Sequence, residues 1–413
     1  MTFESLALSQ HIVRAVEERK YAAPTPIQSA VIPAVLSGRD VWACAHTGSG
    51  KTAAFALPLL QRHSQDGRET PRRVRSLILV PTRELAAQIG ASIESYARYL
   101  PEQVKVAVVF GGVSINPQMM ALRGGADIVV ATPGRLLDLV EHNALSLRSV
   151  ATLVLDEADR LLDLGFADEL ANVLSLLPER RQNLLFSATF PPEVNALAAI
   201  LLRDPLRVDV PSTPATVPDI AQRAILVDAP RRTQLLLRLI REQGWTRVLV
   251  FVATKYSTEH VAEKLRRAGI EAEALHGELS QGARAQALAD FKSERLQVLV
   301  ATDLAARGID IVQLPAVVNY DLPRSTDDYI HRIGRTGRAG QSGVAVSFVS
   351  ASTEAHFRLI EKRHGLTLPR EIVAGFEPVE TAAPVATAPG GSTGGIKGKR
   401  KSKKDKLRER GLK

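Results

Sequence analysis

Two α/β domains in tandem, each a parallel sheet flanked by helices, are the fold this sequence predicts. Three observations carry that reading. Short β-branched apolar runs alternate with helix-like stretches along most of the chain, as in a sheet buried on both faces. Polar and glycine-containing clusters follow the ends of these runs. The 413 residues, 45% of them hydrophobic, suffice for two cores of ordinary size.

In the first half the runs are Val41–Cys44, Leu77–Val80, Val106–Phe110, Ile128–Val130, Leu153–Leu155 and Leu184–Phe186. A second series follows the Pro-rich segment 211–218: Val248–Val252, Val298–Val300, Ala316–Val318 and Val344–Phe348. The expected organisation is a first domain over 1–205, a linker over 206–218, a second domain over 219–370, and a disordered tail over 371–413 that turns from Pro/Gly-rich to basic. No repeat of solenoid length is present. The halves read as architecturally alike, with Val248–Lys255 taken as the counterpart of Val41–Thr52 although it lacks Gly-Lys-Thr.

The first run leads into Ala45-His46-Thr47-Gly48-Ser49-Gly50-Lys51-Thr52. A Gly-rich turn between a strand and a helix points several backbone N–H groups at one spot, where the helix N-terminus adds positive potential and Lys51 a full charge. That spot suits a nucleotide β/γ-phosphate. Thr52 offers a hydroxyl to Mg²⁺, Asp156 a second anchor for the metal, and Glu157 a base for an attacking water. Asp156-Glu157-Ala158-Asp159 alone is weak, because acids beside an apolar strand commonly cap a helix. Paired with the glycine-rich loop, it implies a nucleotide-hydrolysing site between neighbouring parallel strands. Further clusters fall after strand ends, where open α/β sheets bind ligands: Pro81–Leu85, Gly111-Gly112, Thr132–Arg135, Ser187–Thr189, Thr302-Asp303, Arg307–Asp310 and His331–Arg338.

Composition narrows the class. No stretch approaches about eighteen uninterrupted apolar residues, and Met1–Ser5 lacks the character of a signal peptide, so a cytoplasmic protein without a membrane partner is expected. The single cysteine, Cys44, excludes an internal disulfide and any Cys-based metal cluster, and reads as buried filler. Net charge is +9, but ten of the 53 Lys/Arg and only two of the 44 Asp/Glu fall within 397–413. The remainder is nearly neutral, and a tail of this kind suits polyanions, nucleic acid among them, with a solubilising tail as the alternative.

In order and spacing these residues resemble the DEAD-box ATP-dependent RNA helicases across roughly 1–370. Phe3, Tyr21 and Pro24-Thr25-Pro26-Ile27-Gln28 are similar to the family's adenine-reading Q motif, followed by AHTGSGKT, PTREL, GG, TPGR, DEAD, SAT, ATDLAARGID and HRIGRTGR. Phe110–Met120 most resembles the bacterial RhlE-like branch. The resemblance implies two RecA-like domains. It makes Gln28 the reader of the adenine edge, with Tyr21 stacked on the ring, and gives the triphosphate to Ala45, His46, Thr47, Gly48, Ser49, Gly50, Lys51 and Thr52. Asp156 would bind Mg²⁺ through water and Glu157 orient the hydrolytic water. Gly308 and Asp310 would approach the ribose, and Arg335 and Arg338 the γ-phosphate as arginine fingers, which requires domain closure.

Arg83, Gly112, Thr132, Gly134 and Arg135 from the first domain, with Arg284, Thr302 and Asp303 from the second, resemble RNA-backbone contacts. Groups of these types bind phosphates without reading bases, so little sequence specificity is expected. Ser187 and Thr189 look like the element coupling the nucleotide and RNA faces. Lys20 and His46 depart from the family's usual Gly and Gln; neither position carries phosphate chemistry. The expected activity is RNA-stimulated ATP hydrolysis by a monomer, coupled to local, non-processive duplex unwinding or RNA–protein remodelling, ribosome assembly among the settings. An ATP-timed RNA clamp or annealing factor is the alternative; a DNA translocase is disfavoured by the Q motif and the DEAD run.

Overall fold

The structure, a computed structural model, describes residues 2–45, 48–67, 70–209, 220–306, 311, 313–326, 328–337 and 342–380. The first sheet comprises β1 (Val41–Cys44), β2 (Ser76–Leu79), β3 (Val106–Val109), β4 (Ile128–Ala131), β5 (Thr152–Leu155), β6 (Gln182–Ser187) and β7 (Leu206–Asp209), in the spatial order β3-β4-β2-β5-β6-β1-β7. The second comprises β8 (Ile220–Leu226), β9 (Val248–Val252), β10 (Ala272–Leu275), β11 (Val298–Thr302), β12 (Ala316–Asn319), β13 (Gly343–Val349) and β14 (Arg370–Glu371), in the order β10-β11-β9-β12-β13-β8-β14. All recorded pairings are parallel, and the second order is the first advanced by seven strands.

Why these runs become central strands follows from their period of two. Ile78 and Val80 enter one core layer and Leu77 and Leu79 the other; Ile128 and Val130 part from Val129 and Ala131 in the same way. Each such side chain, fully buried, contributes roughly 1.5–3 kcal/mol, so a strand apolar on both faces stays between two helical layers.

The matching orders correct two expectations. The counterpart of β1 is β8, not β9, so the second domain's equivalent of the phosphate loop is the turn after Leu226, Val227-Asp228-Ala229-Pro230. β8 escaped notice because Gln222 and Arg223 interrupt its apolar run. The boundaries also move. Leu206–Asp209, assigned to the linker, pairs with Val41–Cys44 as β7, with Val208 buried and Arg207 over the Trp42 ring. At the other end, 371–380 is not tail: Arg231 and Arg238 lie over Phe376, and the Asp228 carboxylate accepts the Val379 and Glu380 N–H groups. Residues 210–219 and 381–413, which include the rest of the linker and the basic segment, lie outside the described residues.

One glycine is fixed by a close approach. A Cβ on Gly343, the first residue of β13, would collide with the Thr336 side chain and the Gly337 N–H. Thr336 donates its hydroxyl to the Leu314 carbonyl, and Leu314 N–H donates to Arg335 O, which fixes the turn carrying Arg335. No described helix is long and apolar enough to cross a membrane.

Candidate active site between two domains

The glycine-rich loop ends at Gly50, whose φ of +94° is left-handed backbone that side chains avoid, and the helix Lys51–Asp66 starts immediately after. Nearby, Pro26–Leu36 opens with a capping box: the Gln28 carbonyl oxygen accepts Thr25 N–H at 2.9 Å, while its amide donates to Gly50 O at 3.1 Å. The side chain expected to read adenine therefore clasps the phosphate loop, and a Cβ at Gly50 would strike it. Lys51 is buried, with its ammonium donating to Ala45 O at 2.9 Å.

A cavity of about 400 Å³ gathers Tyr21, Gln28, Gly48, Gly50, Lys51, Thr52, Asp156, Glu157 and, from the second domain, Arg335. Tyr21 sits at one end, its hydroxyl 3.2 Å from that of Tyr96, over which Arg19 lies. At the other end β5 delivers Asp156; β6 lies between β5 and β1, so the two loops do not follow neighbouring strands as expected but meet across one intervening strand. Glu157 caps the next helix, Ala158–Asp163, from a left-handed conformation with φ 52°. Such backbone on a non-glycine residue costs of order 1–3 kcal/mol and collects at functional sites. Burial pushes the Asp156 carboxyl up to about 6, against the lowering pull of Lys51 and with Glu157 adding to the rise.

A larger cleft of about 890 Å³ lies at the opposite edge of this sheet, against residues preceding β2, β4 and β5. It contains no acid and no part of the phosphate loop, so the smaller cavity is where hydrolytic chemistry is possible.

No described group of three or more His, Cys, Asp or Glu side chains forms a metal cage. Asp156 and the Thr52 hydroxyl on one cavity nevertheless fit Mg²⁺, which is commonly held by one or two carboxylates together with substrate phosphates. His46, Thr47, Gly308, Asp310 and Arg338 lie outside the described residues.

Asp159 joins this cavity to the next strand. Its carboxylate accepts the Thr189 N–H at 3.0 Å and hydroxyl at 2.9 Å; its own N–H donates to Ser187 Oγ, which donates to Thr189 O. Next in sequence, Arg160 meets Asp328 of the second domain in a buried ion pair at 2.6 Å. Beside it burial and the Arg160 charge press His331 down to about 4, leaving it neutral at physiological pH.

The expected RNA residues divide. Arg83 lies across Gly112, and Gly111 N–H donates to Thr132 Oγ1. Gly134, in the first turn of the helix Pro133–Glu141, has free space where a Cβ would stand, and Arg135 donates to Val113 O. These five form one face at the ends of β2, β3 and β4. Thr302 ends β11, but Asp303 spends both carboxylate oxygens on Arg332. Arg284, 2% exposed, donates to Glu84 and to His276 O, and Arg83 reaches Gly277 O. Arg284 thus ties the two domains together, a role that its sequence position did not disclose.

Comparisons with known proteins fall on the same residues. The DEAD/DEAH box helicase domain matches 25–197, and the helicase conserved C-terminal domain matches 231–340. ATP-dependent RNA helicase DeaD of Mycobacterium tuberculosis is 42% identical over 380 residues, which is 92% of this chain and 66% of that protein, so the chain spans just under two thirds of it. ATP-dependent rRNA helicase rrp3 of Emericella nidulans is 45% identical over 84% of this chain and 74% of its own. Among solved structures, S. cerevisiae Dbp5 bound to RNA and ADP BeF3 is 31% identical with a TM-score of 0.78, covering 90% of this chain and 95% of its own. A DEAD box protein from Methanococcus jannaschii, 38% identical and covering 90% and 99%, has a TM-score of 0.53.

Two measurements test the site. Because the folded carboxyl of Asp156 titrates above its ordinary value, the ligand-free native state binds the proton more tightly, and this group withdraws stability as pH rises from 3.8 to about 6. Asp156→Asn should stabilise the ligand-free protein at pH 7.5 by on the order of 1–3 kcal/mol in urea denaturation, with the gain fading below pH 4, while ATP hydrolysis is lost. An equal effect at both pH values would contradict the assignment. For Arg284, single-stranded RNA affinity with a non-hydrolysable ATP analogue should fall roughly tenfold or more in Arg284→Met and in Glu84→Leu, with the double variant no worse than either. Additive losses would instead place Arg284 on RNA.

The two family matches, the 45% identity to the rrp3 relative over 84% of this chain, and two matching parallel sheets like those of the solved relatives show that the chain belongs to the DEAD-box helicase family.

Proposed function

We propose that the chain is an ATP-dependent RNA helicase, an RNA-stimulated ATPase that opens short duplexes locally or remodels RNA–protein complexes. The observation that carries this is the single cavity in which the phosphate loop, Asp156 and Glu157 face Arg335 of the other domain. ATP would displace the Ala45 carbonyl from Lys51, which then holds the β/γ-phosphates. Bound Mg²⁺ supplies charge neutralisation on the phosphate oxygens, and Thr52 and Asp156 are the groups that would hold it. Glu157 orients and polarises the attacking water, and Arg335 stabilises charge on the transferring phosphoryl group, an effect of about 10³–10⁵ in rate. Arg338, Gly308 and Asp310 are assigned the second finger and the ribose on the family pattern alone.

RNA is placed on the face formed by Arg83, Gly112, Thr132, Gly134 and Arg135, continued by Thr302, with its backbone as the main contact. The overall likeness supports this reading. The relative bound to RNA and ADP BeF3 matches the arrangement of this chain better than the more identical Methanococcus jannaschii protein. ATP and RNA would each favour closure and so tighten one another. The Ser187–Thr189–Asp159 network lies between the two faces and would report one to the other. A cytoplasmic monomer is the proposed form, with the basic segment 397–413 adding RNA affinity and ribosomal RNA a fitting substrate, since the rrp3 relative is named for it.

Steady-state ATP hydrolysis without nucleic acid, with single-stranded RNA, and with DNA of the same sequence tests the proposal. Stimulation by RNA alone, abolished in Glu157→Gln, is expected. Equal stimulation by DNA would favour a translocase.

A further inference from the structure

Of the chain's aromatic side chains, all within the described residues, only Tyr256 is exposed, at 75%. It stands in the first turn of the helix Lys255–Arg267 and stacks on His260, one turn on, with ring centroids 5.8 Å apart and planes within 12°. His260 is itself exposed. Neither ring is needed by the core beneath, which this helix fills with Val261, Ala262 and Leu265. Two nearly parallel rings held to solvent at (i, i+4) spacing form a flat surface with an uncovered outer face.

Its place in the molecule is informative. Lys255 forms an ion pair with Glu278. The neighbouring Gly277 carbonyl accepts from Arg83, which lies across Gly112 of the first domain. The ring pair therefore adjoins the second-domain end of the proposed RNA face. Two of the nearby acids are paired with full positive charges, Glu263 with Arg266 and Arg267 and Glu278 with Lys255, while Glu259 shares a hydrogen bond with His276. Lys264, one further turn along, has no ion-pair partner among the described residues. A polyanion meets little repulsion here, and an aromatic face that binds any base by stacking is the usual complement to a backbone-tracking groove.

We infer that Tyr256, backed by His260, is a stacking platform for one unpaired nucleobase of the RNA strand as it leaves the backbone-binding face. This inference rests on the RNA-helicase reading. It gives that site a contact that depends on the presence of a base and not on its identity. A base held there cannot pair with a complementary strand, so the platform would also bias the exit side of the site toward single strands.

The test is fluorescence anisotropy of the full chain on single-stranded RNA with a non-hydrolysable ATP analogue, comparing wild type, Tyr256→Ala and Tyr256→Phe. The same measurements are repeated on strands carrying one abasic ribose at successive positions. Tyr256→Ala should weaken binding by about fivefold or more, while Tyr256→Phe stays within about twofold of wild type. Wild type should lose a similar factor at one abasic position, where Tyr256→Ala loses nothing further. The slope of log affinity against log salt should be the same in all three proteins, since no charge is removed. Unchanged affinity of Tyr256→Ala, or an equal loss on every abasic strand, would overturn the platform. Failure of wild type to bind any RNA would instead overturn the helicase reading.

Discussion

The buried ion pair between Arg160 and Asp328 is the contact on which the rest of this molecule depends. Arg160 follows the acidic run directly, and Asp328 begins the short helix Asp328–Ile333 that leads to Arg335. Burial works against the Arg160 charge, but the adjoining Asp328 carboxylate, together with Glu157 and Asp159, more than offsets it. A buried pair of this kind adds little net stability compared with an apolar contact, yet loss of one partner is severe. Its value here is positional. It fixes where the second domain stands relative to Asp156 and Glu157, and so whether Arg335 enters the nucleotide cavity.

Around that contact the site is assembled from loops that each domain alone leaves unfinished. Parallel sheets present all their loops of one kind at a single edge, so two sheets of identical order can face each other edge to edge. Only the first carries a phosphate loop; its counterpart after β8, Val227-Asp228-Ala229-Pro230, uses Asp228 to anchor Val379 and Glu380 instead. The duplicated architecture has thus been divided between chemistry and support. Arg83–Gly277 and Arg284–Glu84 add a second seam on the side of the proposed RNA face.

Much of this was legible in the sequence because parallel strands buried on both faces must be short, apolar and β-branched, and because phosphate chemistry demands particular residues at particular spacings. Val41–Cys44 and Val248–Val252 fall where their composition put them. β10, Ala272–Leu275, was missed because Ala and Glu carry no strand preference, and β8 because its partly exposed face admits Gln222 and Arg223. Pairings across the cleft had no local signal: Arg160 and Asp328 are 168 residues apart, and Arg284 and Glu84 are 200. Asp159 stood in the DEAD run itself, but its service to Thr189 needed the strand order to be visible. For Gln28 the sequence pointed to adenine, whereas the structure adds that its amide spans Thr25 and Gly50, so the side chain proposed to read the base also holds the loop.

The most direct test of this account is the affinity for single-stranded RNA with and without saturating non-hydrolysable ATP analogue, in the wild-type chain and in Arg160→Met. If closure across the Arg160–Asp328 contact joins the two sites, the analogue should tighten RNA binding by about tenfold or more in wild type and by little in the variant. Equal tightening in both proteins, or none in either, would contradict the claim that this contact couples them.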